Sequence, residues 1–127
     1  MPEHQLFEYA VIRLVPRVER EEFLNIGVIL LCSSQKFLHI AYELDERKIR
    51  ALSNKVDIRE INDYLTAFEK VCQGGPQGGP IGLLTLAERF RWLTAERSTL
   101  VQTSPVHPGL CINAEESLVR LYEQLVL

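Results

Sequence analysis

The chain has 127 residues, of which 46% are hydrophobic and 24% are charged, and its formal net charge is −3. This length predicts a single domain, residues 1–127, with enough apolar surface for a core that needs neither disulfides nor metal. The acidic balance argues against nucleic acid as a partner, because neutralising phosphates requires an excess of Lys and Arg on one face. The apolar uncharged run 25–35 is too short to span a bilayer, so we expect a cytoplasmic protein without a membrane segment.

Three apolar runs near the N-terminus predict neighbouring β-strands. They lie at 7–16, 25–33 and 36–44, and they are rich in Val, Ile, Leu and Tyr. The short connections between them favour pairing as an antiparallel meander. A fourth extended piece at 98–103 predicts another strand, and the proline-containing segment 104–109 after it predicts a rigid turn.

Helix start signals follow the first three strands. Asp45 is suited to cap a short helix, and Asp57, Thr85 and Asn113 each stand three residues before a Glu, which resembles a capping box. The apolar residues behind these caps keep helical spacing. We therefore predict an α+β fold, in which an antiparallel sheet of three to four strands packs against three to four helices. The predicted core consists of Ile12, Leu14, Ile26, Val28, Leu30, Ile40, Ile61, Leu65, Phe68, Phe90, Leu118 and Leu121.

The segment 73–80 contains four glycines and two prolines. This composition predicts a flexible exposed loop rather than part of a helix or strand. A phosphate-binding loop is not indicated, because no Lys followed by Ser or Thr completes the GxxxxGK[ST] pattern.

A densely charged connection joins the first two strands. Arg13 lies inside the first strand, where a guanidinium needs a partner, and we expect an ion pair with Glu22 or Glu19. In the alternative interpretation, Arg13 contacts an anion together with Arg17 or Arg20, because the planar fork of arginine suits carboxylate and phosphate.

Two residues after this connection are predicted to shape the backbone. Asn25 is expected to close the turn through side-chain hydrogen bonds, and Gly27 to permit a bulge or a close approach of another strand.

Residue patterns for catalysis or metal binding are weak. His107 and Cys111 are separated by a proline-containing turn that disfavours a nucleophile–base pair. The three cysteines form no CxxC pair, which indicates free thiols in a reducing compartment. We therefore predict no catalytic residue, no metal and no cofactor, and an enzyme is not the favoured class.

Two stretches of the chain are similar to a known family. The first comprises YAVIRLVP at 9–16 and REEFLNIGV at 20–28, and the second comprises ERFRWL at 88–93, RST at 97–99 and QTSPVHPG at 102–109. They resemble the bacterial domain-of-unknown-function family numbered three thousand and thirty-seven. The resemblance implies a small cytoplasmic protein encoded beside HipA-like kinases, and it carries over no catalytic role. The motif positions are Arg13, Arg20, Glu22, Asn25, Gly27, Arg91, Arg97, Ser104 and His107.

The leading hypothesis is a non-catalytic partner or regulatory protein, with a HipA-like kinase as the suspected partner. Trp92, Arg91 and Arg97 are the candidate anchors of its interface, because Trp and Arg are enriched among residues that dominate binding energy. The candidate residues for binding an anion or a partner are Arg13, Arg17, Arg20, Glu22, Asn25, Arg91, Trp92, Arg97, Ser104 and His107.

The alternative hypothesis is a small enzyme or ligand-binding domain for a phosphorylated or carboxylated metabolite. Arg13, Arg20 and Arg97 would hold the anion, and Glu22 or His107 would move a proton. This hypothesis requires these residues to converge in one concave site.

Overall fold

Five strands form one open antiparallel sheet in the computed structural model, which describes residues 3–127 apart from the side chain of Val18. The strands are β1 Gln5–Leu14, β2 Leu24–Cys32, β3 Phe37–Tyr42, β4 Val101–Thr103 and β5 His107–Cys111. Their order is β3-β2-β1-β4, and β5 pairs with the first half of β1, on the same edge as β4. The predicted α+β class and the meander of the first three strands are confirmed.

The last strand lies where a rigid turn was predicted. The prediction for 104–109 is wrong in its second half, because β5 begins at His107. Pro108 is compatible with this strand because β5 lies at the edge of the sheet, where a residue can lack its N–H without breaking the ladder. The preceding strand, β4, is shorter than the predicted 98–103.

A bulge interrupts β2 where it pairs with β1. Ile12 pairs with Gly27, the register shifts at the next residue, and Ile26 is the extra residue of β2. A Cβ atom at Gly27 would lie 2.8 Å from the carbonyl oxygen of Ala41 on β3. This contact is too close for any side chain, so the prediction of a bulge with a close backbone approach is confirmed.

The predicted helices are present with their caps. The helices are α1 Glu46–Leu52, α2 Ile58–Gln73, α3 Gly79–Gly82, α4 Leu86–Leu93 and α5 Ala114–Leu125. Thr85 and Glu88 form a reciprocal capping box at α4. The side chains of Asp45, Asp57 and Asn113 each accept a backbone N–H of the first turn of α1, α2 and α5, respectively.

The glycine- and proline-rich segment is more structured than predicted. Helix α2 continues to Gln73, Pro76–Gly78 forms a 3-10 turn, and α3 follows directly. The N–H of Gly75 donates to the carbonyl of Gly82 at 2.8 Å and closes the segment. The prediction that 73–80 contributes to no helix is wrong, whereas its flexibility stays a prediction.

Helices cover both faces of the sheet. On one face, α1, α2 and α4 bury a cluster with the even-numbered β1 residues Ile12 and Leu14. On the other face, α5 packs above β2 and β3, and the odd-numbered residues of β1 lie on this side. Every predicted core residue is buried except Ile40 and Leu121, which are half-buried. The separation of the two faces determines which candidate site residues lie close together.

Candidate functional site

The two sequence motifs meet in the sheet. The second motif supplies β4 and most of β5, and both strands pair with β1 from the first motif. Arg13 lies opposite Gln102, and Tyr9 lies opposite His107 with 5.4 Å between the ring centroids. Arg13 and His107 therefore lie on the same face. His107 pairs with Tyr9, however, which is four residues from Arg13 along β1, so the two side chains are separated by about 13 Å along the strand.

Ser104 joins the two halves of the edge formed by β4 and β5. Its Oγ accepts the N–H of Val11 at 2.9 Å, and its own N–H donates to the carbonyl of Val11 at 2.8 Å. The hydroxyl donates in turn to the carbonyl of Pro105 at 2.9 Å. The side chain thus replaces a backbone acceptor where the register shifts between β4 and β5, and Ser104 is buried. This candidate site residue has a clear structural role.

Arg13 does not form the expected ion pair. Its guanidinium lies 4.2 Å from the centroid of the Phe23 ring, a cation–π contact. The carboxylates proposed as partners bind other arginines, because Glu19 accepts from Arg17 at 3.0 Å and Glu22 accepts from Arg20 at 2.7 Å. The predicted bridge between Arg13 and Glu22 or Glu19 is therefore wrong.

Asn25 contacts a helix end instead of closing a turn. Its Nδ2 donates to the carbonyl of Leu125 at 3.1 Å, which ties β2 to the C-terminal end of α5. The prediction that Asn25 closes its own turn is wrong. Asn25, Arg13 and Gln102 lie side by side across three strands. Within the described residues, Asn25 Oδ1 and Arg13 Nε are buried without a hydrogen-bond partner.

Arg97 is fixed against the end of α4. Its Nη1 donates to the carbonyl of Leu93 at 2.8 Å, and its Nη2 donates to the carbonyl of Trp92 at 2.6 Å. The guanidinium lies 4.8 Å from the Trp92 ring and 5.2 Å from the Phe68 ring. Burial lowers the pKa of Arg97. Since these contacts lie on the α2 and α4 side of the sheet, Arg97 and Arg13 lie on opposite faces.

Arg89 is not among the candidate residues that the sequence indicated, although the structure gives it a clear role. This buried guanidinium donates through Nη1 to the carbonyls of Val71 and Cys72, both at 2.8 Å, and through Nε to the carbonyl of Leu84 at 3.1 Å. The last carbonyls of a helix lack intrahelical partners and carry partial negative charge, so a cation satisfies them well. The only sequence signal was the placement of Arg89 inside an apolar helical pattern.

The cysteines are not activated for nucleophilic chemistry. All three are free and buried. Burial is the main cause that raises the pKa of the Cys72 thiol to about 12, and the pKa of Cys111 is also raised, first by burial. His107 is exposed opposite Tyr9, whereas Cys111 lies four residues further along β5. Side chains about 13 Å apart along a strand do not form a nucleophile–base pair.

A cleft lies between the β1–β2 connection and the loop from α1 to α2. Its two adjoining depressions have volumes of about 200 and 440 Å³ and share Arg17 and Lys55. The smaller depression also contains Arg20 and Glu22. The structure thus brings Arg17, Arg20 and Glu22 together and adds Lys55, which sequence reasoning had not selected. Arg13, Arg97 and His107 are not among the residues that line this cleft.

A groove of about 390 Å³ lies between α2 and the Gly/Pro segment. Its apolar wall consists of Ala67, Val71, Ile81 and Trp92. The Trp92 side chain is 37% exposed, although it packs edge-on against Phe68 with 6.3 Å between the ring centroids. Arg91 is exposed on the same helix. Trp92, the aromatic residue among the candidates, is therefore exposed to solvent at the wall of this groove.

The comparisons with known proteins give one finding. The model of a family described as Protein of unknown function (DUF3037) matches residues 9–126. No curated protein sequence and no solved structure matches the chain. Among residues 3–127, no helix has the length and apolarity needed to cross a membrane, and no group of three or more His, Cys, Asp and Glu side chains could hold a metal ion.

Proposed function

The chain belongs to the family described as Protein of unknown function (DUF3037), and we propose that it is a non-catalytic regulatory protein that binds another protein through the groove at Trp92. The observation that carries this proposal is the half-exposed Trp92 ring, which forms one wall of that groove. Binding energy in protein interfaces is concentrated in a few Trp, Tyr and Arg residues that fill pockets.

The anchor is held in position before a partner arrives. Arg97 stacks on the Trp92 ring and bonds the Trp92 carbonyl, and Phe68 supports the ring edge. An immobilised side chain loses little conformational entropy on binding, so more of its contact energy contributes to affinity.

The lining of the groove indicates what the partner presents. The apolar wall suits one aliphatic or aromatic side chain, whereas the charged side chains of Asp63 and Lys70 at the rim suit polar neighbours on either side of it. The proposed partner is a HipA-like kinase, as the resemblance implied. The three buried free cysteines are in keeping with a bacterial cytoplasm as the place of action.

Calorimetric titration of a purified HipA-like kinase from the same genome tests this proposal. We expect Trp92→Ala to raise the dissociation constant by about 30-fold, because such anchors contribute roughly 2 kcal/mol or more to the free energy of binding. Leu83→Ala is the matched control, because Leu83 is 70% exposed and lies outside the groove. A kinase that does not bind, or that binds the Trp92 variant as tightly as the wild type, would refute the proposal. Chemical denaturation of both variants shows whether the fold is retained.

One observation favours a second function, the binding of a small anion. Arg17, Arg20 and Lys55 line the cleft beside the β1–β2 connection. The two arginines already bond Glu19 and Glu22, so an anion must compete with these carboxylates. Titration with inorganic phosphate is the test, with Lys55→Gln as the variant that should abolish binding and the exposed Lys36→Gln as the control. Equal heats for wild type and the Lys55 variant would count against this function.

A further inference from the structure

The cleft beside the β1–β2 connection is divided by charge along its length. Its middle consists of the residues that line both depressions, which are Pro16, Arg17, Ser53 and Lys55. The larger depression continues from this middle to the first turn of α2, where it is lined by Asp57 and Glu60. The cleft therefore carries positive charge in its middle and negative charge at one end.

The positive middle is suited to hold a phosphate group. Lys55 forms no ion pair with another described residue. The Ser53 Oγ accepts the N–H of Lys55 at 3.3 Å, which leaves the hydroxyl hydrogen of Ser53 to donate to a ligand. Arg17 bonds Glu19 through its Nε, so its two terminal nitrogens remain as donors. An ammonium, a hydroxyl and a guanidinium thus line the same part of the cleft, and hydrogen bonds from such cations to phosphate are strong.

The negative end cannot bind the same anion, because its carboxylates repel negative charge. Glu60 is exposed and forms no ion pair with another described residue. Asp57 accepts the N–H of Arg59 at 2.9 Å through Oδ1, which leaves Oδ2 as an acceptor. Ionised carboxylates only accept hydrogen bonds. This end of the cleft therefore suits a group that donates them, such as an ammonium or a hydroxyl.

We propose, on the basis of the anion-binding function above, that the cleft holds a small organic phosphate with hydrogen-bond donors at its other end. Arg17, Ser53 and Lys55 bind the phosphate, and Asp57 and Glu60 accept from the donors. Sugar and polyol phosphates carry hydroxyl donors, and aminoalkyl phosphates carry an ammonium donor, so both classes share this chemistry. The larger depression, of about 440 Å³, is within the range of roughly 300–1,000 Å³ that is typical of small-molecule sites.

Calorimetric titration of the full chain with three probes tests the proposal. The probes are inorganic phosphate, glycerol phosphate with its hydroxyl donors, and phosphoethanolamine with its ammonium donor. At least one of the two organic phosphates should bind about tenfold more tightly than inorganic phosphate, because the carboxylates at the far end add charge-assisted hydrogen bonds.

Glu60→Gln separates the two ends of the cleft. This variant should bind inorganic phosphate at least as tightly as the wild type, because a repulsive charge is removed. Its affinity for phosphoethanolamine should fall about tenfold, because the attraction to the ammonium is lost. Glycerol phosphate should lose less, because the glutamine carbonyl still accepts from a hydroxyl. The two losses therefore distinguish the two ligand classes. Glu96→Gln is the matched control, because Glu96 is exposed and lines neither depression.

The outcomes separate this proposal from the anion-binding function. Inorganic phosphate that binds, with no gain in affinity for either organic phosphate, would overturn the proposal and leave the anion-binding function standing. A gain that persists undiminished in Glu60→Gln would also overturn it, because the carboxylate end would then have no part in binding. If none of the three probes binds the wild type, both the proposal and the anion-binding function are refuted.

Discussion

Replacing Arg89 by Met should cause a large loss of stability. The guanidinium donates three hydrogen bonds to backbone carbonyls, two of them at the end of α2 and one at Leu84. Methionine retains much of the apolar stem but none of the donors, so the two helix-end carbonyls stay buried without a partner. No carboxylate is involved, so the effect comes from lost hydrogen bonds and not from a broken ion pair.

The expected loss is about 3–5 kcal/mol, because a buried carbonyl that loses its donor costs about 1–3 kcal/mol and two such carbonyls at the end of α2 lose theirs. Hydrogen bonds to charged groups contribute roughly 1.5–3 kcal/mol each, and the cost of burying the charge offsets part of their sum. A domain of this size has a free energy of unfolding of about 5–15 kcal/mol, so the variant should lose a substantial fraction of it.

Urea denaturation measures this effect. With a slope of about 2 kcal/mol per molar, a loss of 4 kcal/mol moves the midpoint down by about 2 M. Arg91→Met is the matched control, because Arg91 is exposed on the same helix. Arg89→Lys should recover only part of the loss, because an ammonium group cannot span three carbonyls as a guanidinium fork does. A loss below about 1 kcal/mol in Arg89→Met would refute the capping role, because a single ordinary hydrogen bond would then account for it.

Three further predictions concern the sheet and its thiol. Ser104→Ala should cost about 1–3 kcal/mol in denaturation experiments, because the buried N–H of Val11 loses its acceptor, whereas His107→Ala should leave stability unchanged. Gly27→Ala should cost roughly 1–3 kcal/mol by thermal unfolding, because its Cβ would lie 2.8 Å from a carbonyl oxygen of β3, and wild-type stability would contradict the close approach. The pKa of the Cys72 thiol is raised from 9.0 to about 12, so the folded state holds this proton more tightly than the unfolded chain. Its contribution to stability is therefore complete below pH 9 and is lost as the pH rises towards 12. The free energy of unfolding of the wild type should fall more steeply across this range than that of Cys72→Ala, and parallel curves would contradict the shift.

The fold class and most elements could be predicted because their signals are local. Alternation and apolar runs identified β1, β2 and β3, and side chains three residues apart identified the starts of α2, α4 and α5. These patterns reflect strand pleating, helical periodicity and the unpaired N–H groups of a first turn, all of which act within a few residues. The prolines in 104–109 led to the wrong prediction of a turn. A proline removes a hydrogen bond from a central strand but not from the outer side of an edge strand, and a local sequence pattern does not show which of the two a strand will be.

The candidate site depended on partners far along the chain. Ser104 bonds Val11 across 93 positions, and Asn25 bonds Leu125 across 100. Arg13 has an aromatic partner where a carboxylate was expected.

By itself, the sequence determined most of the elements, their caps and the residues available to build a core. Only the tertiary structure decided the partner of each polar side chain and the position of β5. The physical reason is that helices and strands arise from neighbouring backbone groups, whereas buried polar groups are satisfied by whichever distant carbonyl or ring the packed fold brings to them.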